Sequence, residues 1–231
     1  AQLSRGLGDV YKRQAVKSAN DAATALGEAI EGSEAAFARR MNRTAKAMGM
    51  NRTTFKNAHG LTDSGHLSTA RDMTILGRHL FYDFPDYYHL FARKTAAAGS
   101  KKVRNTNRRF LSNYRGADGI KTGYTRAAGY NLVASANRNG ERIITTVFGG
   151  RSTTTRNAQV AKLMNLGFKK APRNVKLQKP KPPSYIAIAR AYPVINLSKS
   201  LRPKIRPENN TDNNLIACLL YTSPSPRDSC A

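Results

Sequence analysis

Two short stretches of this chain carry side chains that could do chemistry. Lys121-Thr122-Gly123 sets a cation, a hydroxyl and a residue without a side chain in consecutive positions. On an edge strand that trio suits the capture of a substrate carboxylate. The ammonium supplies charge, the hydroxyl a hydrogen bond, and the bare glycine a close backbone approach. About a hundred residues upstream, Ser18-Ala19-Asn20 offers a hydroxyl and a carboxamide two positions apart. Taken alone, Ser18 and Asn20 read as a helix N-cap and its neighbour, and Lys121 as a solvated strand lysine.

Elements that could position them are legible on both sides. Tyr130–Ala136 and Arg142–Phe148 are β-prone runs, and Asn137-Arg138-Asn139-Gly140 between them is a hairpin turn signal. The Lys-Thr-Gly stretch then falls on a third strand of the same sheet. Upstream, Ala22, Ala23, Leu26, Ala29 and Ile30 recur at helical spacing, with Asn20 or Asp21 as the expected cap. Gly32-Ser33 ends that helix and opens another, whose stripe is Phe37, Met41, Ala45 and Met48. Thr69 and Asp72 have the spacing of a capping box, ahead of a helix marked by Met73, Leu76 and Leu80 and broken at Phe84-Pro85. Gly99–Asn113 reads as a basic loop or edge hairpin, and Val160, Leu163, Met164 and Phe168 mark a last helix lying on the sheet. Helices, then strands, then a helix is an α+β order and not a βαβ repeat.

The net charge of +25 over 231 residues makes a polyanion a plausible neighbour and says nothing about fold. Both cysteines, Cys218 and Cys230, lie close to the C-terminus. Reverse-translating Cys218–Asp228 with permitted codons and reading the complementary strand in another frame yields Ser4–Gln14. One oligonucleotide in opposite orientations accounts for both ends, and it resembles a sequencing-library adapter. The expectation is therefore that 1–14 and 218–231 are adapter-derived, that 15–171 is a partial catalytic domain, and that 172–217 is a basic, proline-rich linker leading into an unassigned region. In that linker Lys176–Pro183 is the proline-rich run, and Tyr185–Leu197 is a candidate strand. Setting aside Arg5, Lys12, Arg13, Arg227, Asp9 and Asp228 leaves the charge strongly positive. The remaining segment holds no cysteine, so redox compartment is not legible.

Longer strings carry a family resemblance. Ser-Ala-Asn-Asp-Ala at Ser18, Asn-Ala-His-Gly-Leu at Asn57, Ser-Thr-Ala-Arg-Asp-Met at Ser68, and Asp-Gly-Ile-Lys-Thr-Gly-Tyr-Thr at Asp118 join Ala-Gly-Tyr-Asn-Leu-Val-Ala-Ser-Ala at Ala128. Together they resemble the low-molecular-mass penicillin-binding proteins that act as serine D-alanyl-D-alanine carboxypeptidases, from about Val16 to Lys170. The motif set Ser-x-x-Lys, Ser-x-Asn and Lys-Thr-Gly is known for that family and for class A β-lactamases. The resemblance implies a helical subdomain packed on a five-stranded antiparallel sheet, here incomplete at the N-terminus, with the active site in the groove between the layers. It implies hydrolysis of the terminal D-alanine of peptidoglycan stem peptides through an acyl-enzyme that β-lactams also form. It implies a periplasmic or otherwise extracytoplasmic location in the bacterial envelope, and no cofactor.

On matching positions, the resemblance makes Ser18 a proton relay and Asn20 a ligand of the substrate amide or of the nucleophile's lysine. Lys121 supplies positive potential for the terminal carboxylate and poises Ser18. Thr122 donates a hydrogen bond to that carboxylate, Gly123 admits the substrate backbone, and the Tyr124 N–H is one oxyanion donor. One departure is decisive for activity. No serine in the chain has lysine three residues on, so the nucleophile and its lysine are absent and the chain as given is expected to be inactive.

Two other readings carry less. His59, His66, His79 and His89 show no metal-ligand spacing, with His79 placed on the polar side of its helix. Arg39, Arg40, Arg43 and Lys46, and Lys101, Lys102, Arg104, Arg108 and Arg109, could track phosphates as a polyanion-binding module, or the chain could be a degenerate scaffold. These cations are spread over many elements without a recognition helix or a stacking aromatic. They read as a solvated face, with attraction to an anionic wall polymer or membrane surface as a variant and no specific nucleic acid expected.

Overall fold

The sheet carrying Lys121 is antiparallel and ordered β3-β4-β5, with β3 at Ala117–Thr125, β4 at Gly129–Arg138 and β5 at Glu141–Gly150. The structure is a computed structural model and describes residues 2–172 and 176–183. Before the sheet come α1 (Gln2–Lys12), a π-helical turn (Arg13–Lys17), α2 (Asn20–Glu31), α3 (Glu34–Ala47), α4 (Ala70–Asp83) and α5 (Pro85–Tyr88), which runs into a 3-10 turn. A separate ribbon of β1 (Thr95–Ala98) and β2 (Lys101–Arg104) and the short α6 (Arg108–Asn113) lead into β3, and α7 (Thr153–Lys170) closes the order. This is the α+β class that the sequence implies, and among the described residues the main sheet has three strands. Gly99–Asn113 thus resolves into the β1–β2 turn, β2 and α6.

Alternation along β4 builds two cores. Leu132, Ala134 and Ala136 pack with Val147, Val160, Met164 and Phe110 on the α7 side. Val133 meets Ile120 and Tyr88 on the other, against Met73, Leu80 and Phe81. Period-2 burial of this kind pins the strand register, because a one-residue slip would exchange the two cores. Leu132, Val160 and Met164 are fully buried, so truncating any of them to Ala costs about 2–5 kcal/mol. Gly77 on α4 allows the helix to lie this close. A Cβ there would meet Ile120 Cδ1 at 2.9 Å and Val133 Cγ1 at 3.3 Å.

Helix ends follow their local chemistry with two corrections. Ser33 caps α3 by accepting from the Ala36 N–H, after Gly32 ends α2 in the left-handed region. Neither Asn20 nor Asp21 caps α2; Ala19 occupies the cap position with no side-chain bond. Thr69 caps α4 by accepting from the Asp72 N–H at 3.1 Å. Asp72 does not complete the box. Its buried carboxylate instead accepts from the Arg52 N–H at 2.9 Å and the Thr53 hydroxyl at 2.7 Å, fastening the 51–54 segment to α4.

The Asn57 turn is likewise tied to the α2–α3 corner. Asn57 closes it by accepting from the Gly60 N–H at 2.7 Å, and Glu34 accepts from the Ala58 N–H at 3.2 Å. Residues 176–183 are irregular. Tyr185–Leu197 and the rest of the C-terminal region lie outside the described residues. Among the described residues no helix is long and apolar enough to cross a membrane.

Candidate active site

Ser18 sits where a helical run is forced to turn. The π-helical turn over Arg13–Lys17 ends at Ser18 with φ 65° and ψ 41°, in the left-handed region. That conformation costs a non-glycine residue roughly 1–2 kcal/mol. It is held by the Ser18 N–H donating to the Gln14 carbonyl at 3.1 Å and the Ala19 N–H donating to the Arg13 carbonyl at 3.2 Å. The preceding Val16 is completely buried, and its carbonyl accepts from the Thr106 N–H at 3.2 Å. The hydroxyl of Ser18 is therefore aimed by a strained turn locked at both ends.

Lys121 reaches Ser18 from β3. Its Nζ lies 2.5 Å from Ser18 Oγ and 3.2 Å from the Thr122 carbonyl, donating to both. Burial pushes the Lys121 ammonium down from 10.5 to about 8, because a low-dielectric setting disfavours the charged form. About a tenth of such a lysine is neutral at pH 7, enough to accept a proton from Ser18 in turn. A serine and a lysine at this separation are within reach of direct proton exchange.

The neighbours of Lys121 define the rest of the wall. Thr122 Oγ1 donates to Thr106 Oγ1 at 2.7 Å. Gly123 is exposed, and the nearest atom to a Cβ built on it is Asn131 Cβ at 3.9 Å. Among the described residues nothing crowds that position. Tyr124 is 54% exposed with its ring 4.4 Å from that of Tyr130. Asn20 is exposed at the first position of α2, and its side chain has no hydrogen-bond partner among the described residues. The structure thus joins Ser18, Lys121 and Thr122 directly; Gly123 and Tyr124 continue the strand, and Asn20 shares no hydrogen bond with them.

Three supports escaped sequence reasoning. Thr106 links the Ser18 segment to Thr122, and it sits between Asn105 and Asn107, both almost wholly buried. Asn105 Nδ2 donates to the Arg93 carbonyl at 2.8 Å, and Asn105 Oδ1 accepts from the Asn107 N–H at 2.7 Å. The start of β3 is fixed by Asp118, which accepts from Ser135 Oγ at 2.8 Å and pairs with Arg142 at 2.7 Å. The Arg142 guanidinium lies 3.9 Å above the Phe81 ring and 5.3 Å from that of Tyr88, and burial pushes the Tyr88 hydroxyl up to about 12. Arg156, buried at the start of α7, donates to the Asn131 carbonyl at 3.2 Å behind β4. No period or spacing signals these contacts, since each joins residues from different elements.

The histidines stand apart from this wall. His79 is a correction: it is buried, not on the polar side of α4, with Nδ1 2.9 Å from Asp83 one turn on. His59 lies 3.5 Å from Glu34. His66 Nδ1 accepts from the Lys56 N–H, and burial lowers its pKa. No group of three potential metal ligands occurs among the described residues.

A helical layer facing an antiparallel sheet, with Lys-Thr-Gly on the strand and Ser-x-Asn at a helix start, defines the class of penicillin-binding serine peptidases. Solved structures agree. The chain matches penicillin binding protein 5 from Haemophilus influenzae with a TM-score of 0.66 and 37% identity over 70% of this chain and 47% of that one. It matches a penicillin-binding protein of Listeria monocytogenes in its ampicillin-bound form with a TM-score of 0.66 and 36% identity over 70% of this chain and 67% of that one. The family model for D-alanyl-D-alanine carboxypeptidases matches residues 4–152, and the chain belongs to that family.

Two curated relatives bear the family's name. D-alanyl-D-alanine carboxypeptidase DacC of Escherichia coli is 40% identical over 161 residues, 70% of this chain and 40% of its own length. D-alanyl-D-alanine carboxypeptidase DacF of Bacillus subtilis is 42% identical over 167 residues, 69% of this chain and 42% of its own length. The chain therefore spans about two fifths of the curated relatives it matches.

Proposed function

We propose that this chain is the carboxylate-binding and proton-relaying wall of a serine D-alanyl-D-alanine carboxypeptidase acting on peptidoglycan stem peptides in the bacterial envelope. The 2.5 Å contact between Lys121 Nζ and Ser18 Oγ carries the reading. A lysine held near 8 beside a serine on a strained turn moves a proton between nucleophile and leaving amine. The stem peptide's terminal carboxylate lies along β3, its charge met by Lys121 and its oxygen by the Thr122 hydroxyl, released from Thr106. Gly123 admits the substrate backbone, the Tyr124 N–H meets the oxyanion, and Asn20 binds the substrate amide.

The acyl-enzyme itself needs a serine with lysine three residues on, which this sequence does not contain. On this reading the chain binds but does not turn over substrate or react with β-lactams, while a protein extended upstream to that motif is acylated. A fluorescent penicillin tests both statements. Covalent labelling of the extended protein, abolished by S18A or K121A, is the expected result; an unlabelled extended protein sinks the enzyme reading. The complementary-strand relation between Ser4–Gln14 and Cys218–Asp228 supports treating both as adapter-derived, and genomic sequence that encodes either stretch in place would refute it.

A further inference from the structure

Four cations that the sequence scatters over separate elements meet in one groove. Lys94 precedes β1, Arg104 ends β2, and Arg108 and Arg109 open α6. With Ser112 and Asn113 they line a concavity of about 390 Å3, to which neither a carboxylate nor an aromatic ring contributes. All four are exposed, and none makes an ion pair among the described residues. The ribbon extends the patch, because the register sets Arg104 opposite Thr95 and Lys102 opposite Ala97, all exposed. Alternate positions of β2 therefore carry cations about 7 Å apart on one face.

We propose that this groove binds a flexible phosphodiester polymer without aromatic bases, of the polyol-phosphate kind. Cations repeated along a strand and continued onto a helix fit a chain of evenly spaced anions better than a single ion. Lack of any ring removes the stacking platform on which single-stranded nucleic acid relies. The six residues of α6 are less than two turns, too short a helix to read a duplex groove. Asn105–Asn107 joins the groove to the peptidase wall, since Thr106 touches Thr122. A polymer held here lies beside the substrate groove and tethers the protein to its anionic surroundings. The assignment does not depend on the peptidase reading.

The test uses the purified chain and a fluorescent synthetic glycerol-phosphate oligomer, with anisotropy read over a range of salt. The triple variant R104Q/R108Q/R109Q should bind about tenfold more weakly near physiological salt and flatten the log K against log salt slope by about 2. The control K162Q/K169Q/K170Q removes the same charge from exposed positions of α7 and should change binding less than about twofold. Equal weakening by both variants overturns the groove. Hydrogen exchange on the unsubstituted chain gives a readout free of any folding effect of substitution. Protection by the oligomer over 94–113 is expected, and protection elsewhere or nowhere overturns the proposal. Equal or tighter binding of oligo(dT), or of phosphatidylglycerol vesicles, overturns the base-free polymer as the ligand.

Discussion

Lys121 and Gly123 show how one short motif holds two different physical demands. Lys121 must give up hydration to reach Ser18, and burial moves its folded pKa to about 8 from an ordinary 10.5. The sign follows directly. Between those values the unfolded chain binds the extra proton, so stability rises with pH from about 8 to 10.5. Carbon-detected NMR of the lysine Cε should show one resonance titrating near 8, absent in K121M, and denaturant titrations should lose the alkaline rise in that variant. A Lys121 resonance titrating near 10.5 would contradict the buried relay. On the proposed reading Gly123 makes the opposite demand, on space outside the protein. With only Asn131 Cβ at 3.9 Å from an added methyl, G123A should leave unfolding free energy within about 0.5 kcal/mol. In the upstream-extended protein the same change should slow penicillin acylation; unchanged acylation would show that the groove does not need the bare backbone.

At the level of elements, carboxylates set the geometry that the motifs inherit. Asp118 with Arg142 and Ser135 fixes where β3 begins, three residues before Lys121. Asp72 fixes the 51–54 segment on α4. Burial alone would raise the Asp72 carboxyl, but the Thr53 hydroxyl and the Arg52 N–H, with Thr69 and the Arg52 charge, outweigh it and hold its pKa below 3.8. Its contribution is therefore complete above that value and is lost as pH falls through the lower folded one. D72N should cost about 1–3 kcal/mol at neutral pH, with the gap from the unsubstituted chain closing on acidification, as read by urea midpoints from pH 7 to pH 3. A gap independent of pH would assign the loss to shape and not to charge.

For the molecule as a whole, apolar surface and open strand edges govern behaviour in solution. Among the described residues β3 and β5 are both edges of the sheet, and Phe148 on β5 is 42% exposed. Leu67, Ile30 and Leu166 are each about half exposed or more. Unprotected edges and apolar patches promote association, and the large basic surplus opposes it at low salt. The chain should be monomeric at low ionic strength and form soluble oligomers as salt screens the charge, with dye-accessible apolar surface throughout. Size-exclusion with light scattering checks this; a salt-independent monomer with a sharp thermal transition would refute it.

How much could be read from the sequence differs between strands, helix ends and site. Alternation fixed β4 and β5 and their turn, and helical spacing with Gly32-Ser33 and Thr69 marked α2, α3 and α4, because each signal is carried by neighbours along the chain. Ser18, Asn20, Lys121, Thr122, Gly123 and Tyr124 were singled out for the same reason, as motif residues. What tertiary structure decided is everything that joins distant segments. His79 turned inward to meet Asp83, Asp72 left its helix end for Arg52 and Thr53, and Thr106 bridged the Ser18 turn to the Lys-Thr-Gly strand. The convergence of Lys94, Arg104, Arg108 and Arg109 is of the same kind. Spacing along a chain sets local periods, whereas burial and charge pairing depend on which elements fold against one another, so the sequence by itself named Ser18 and Lys121 and only packing brought them into contact.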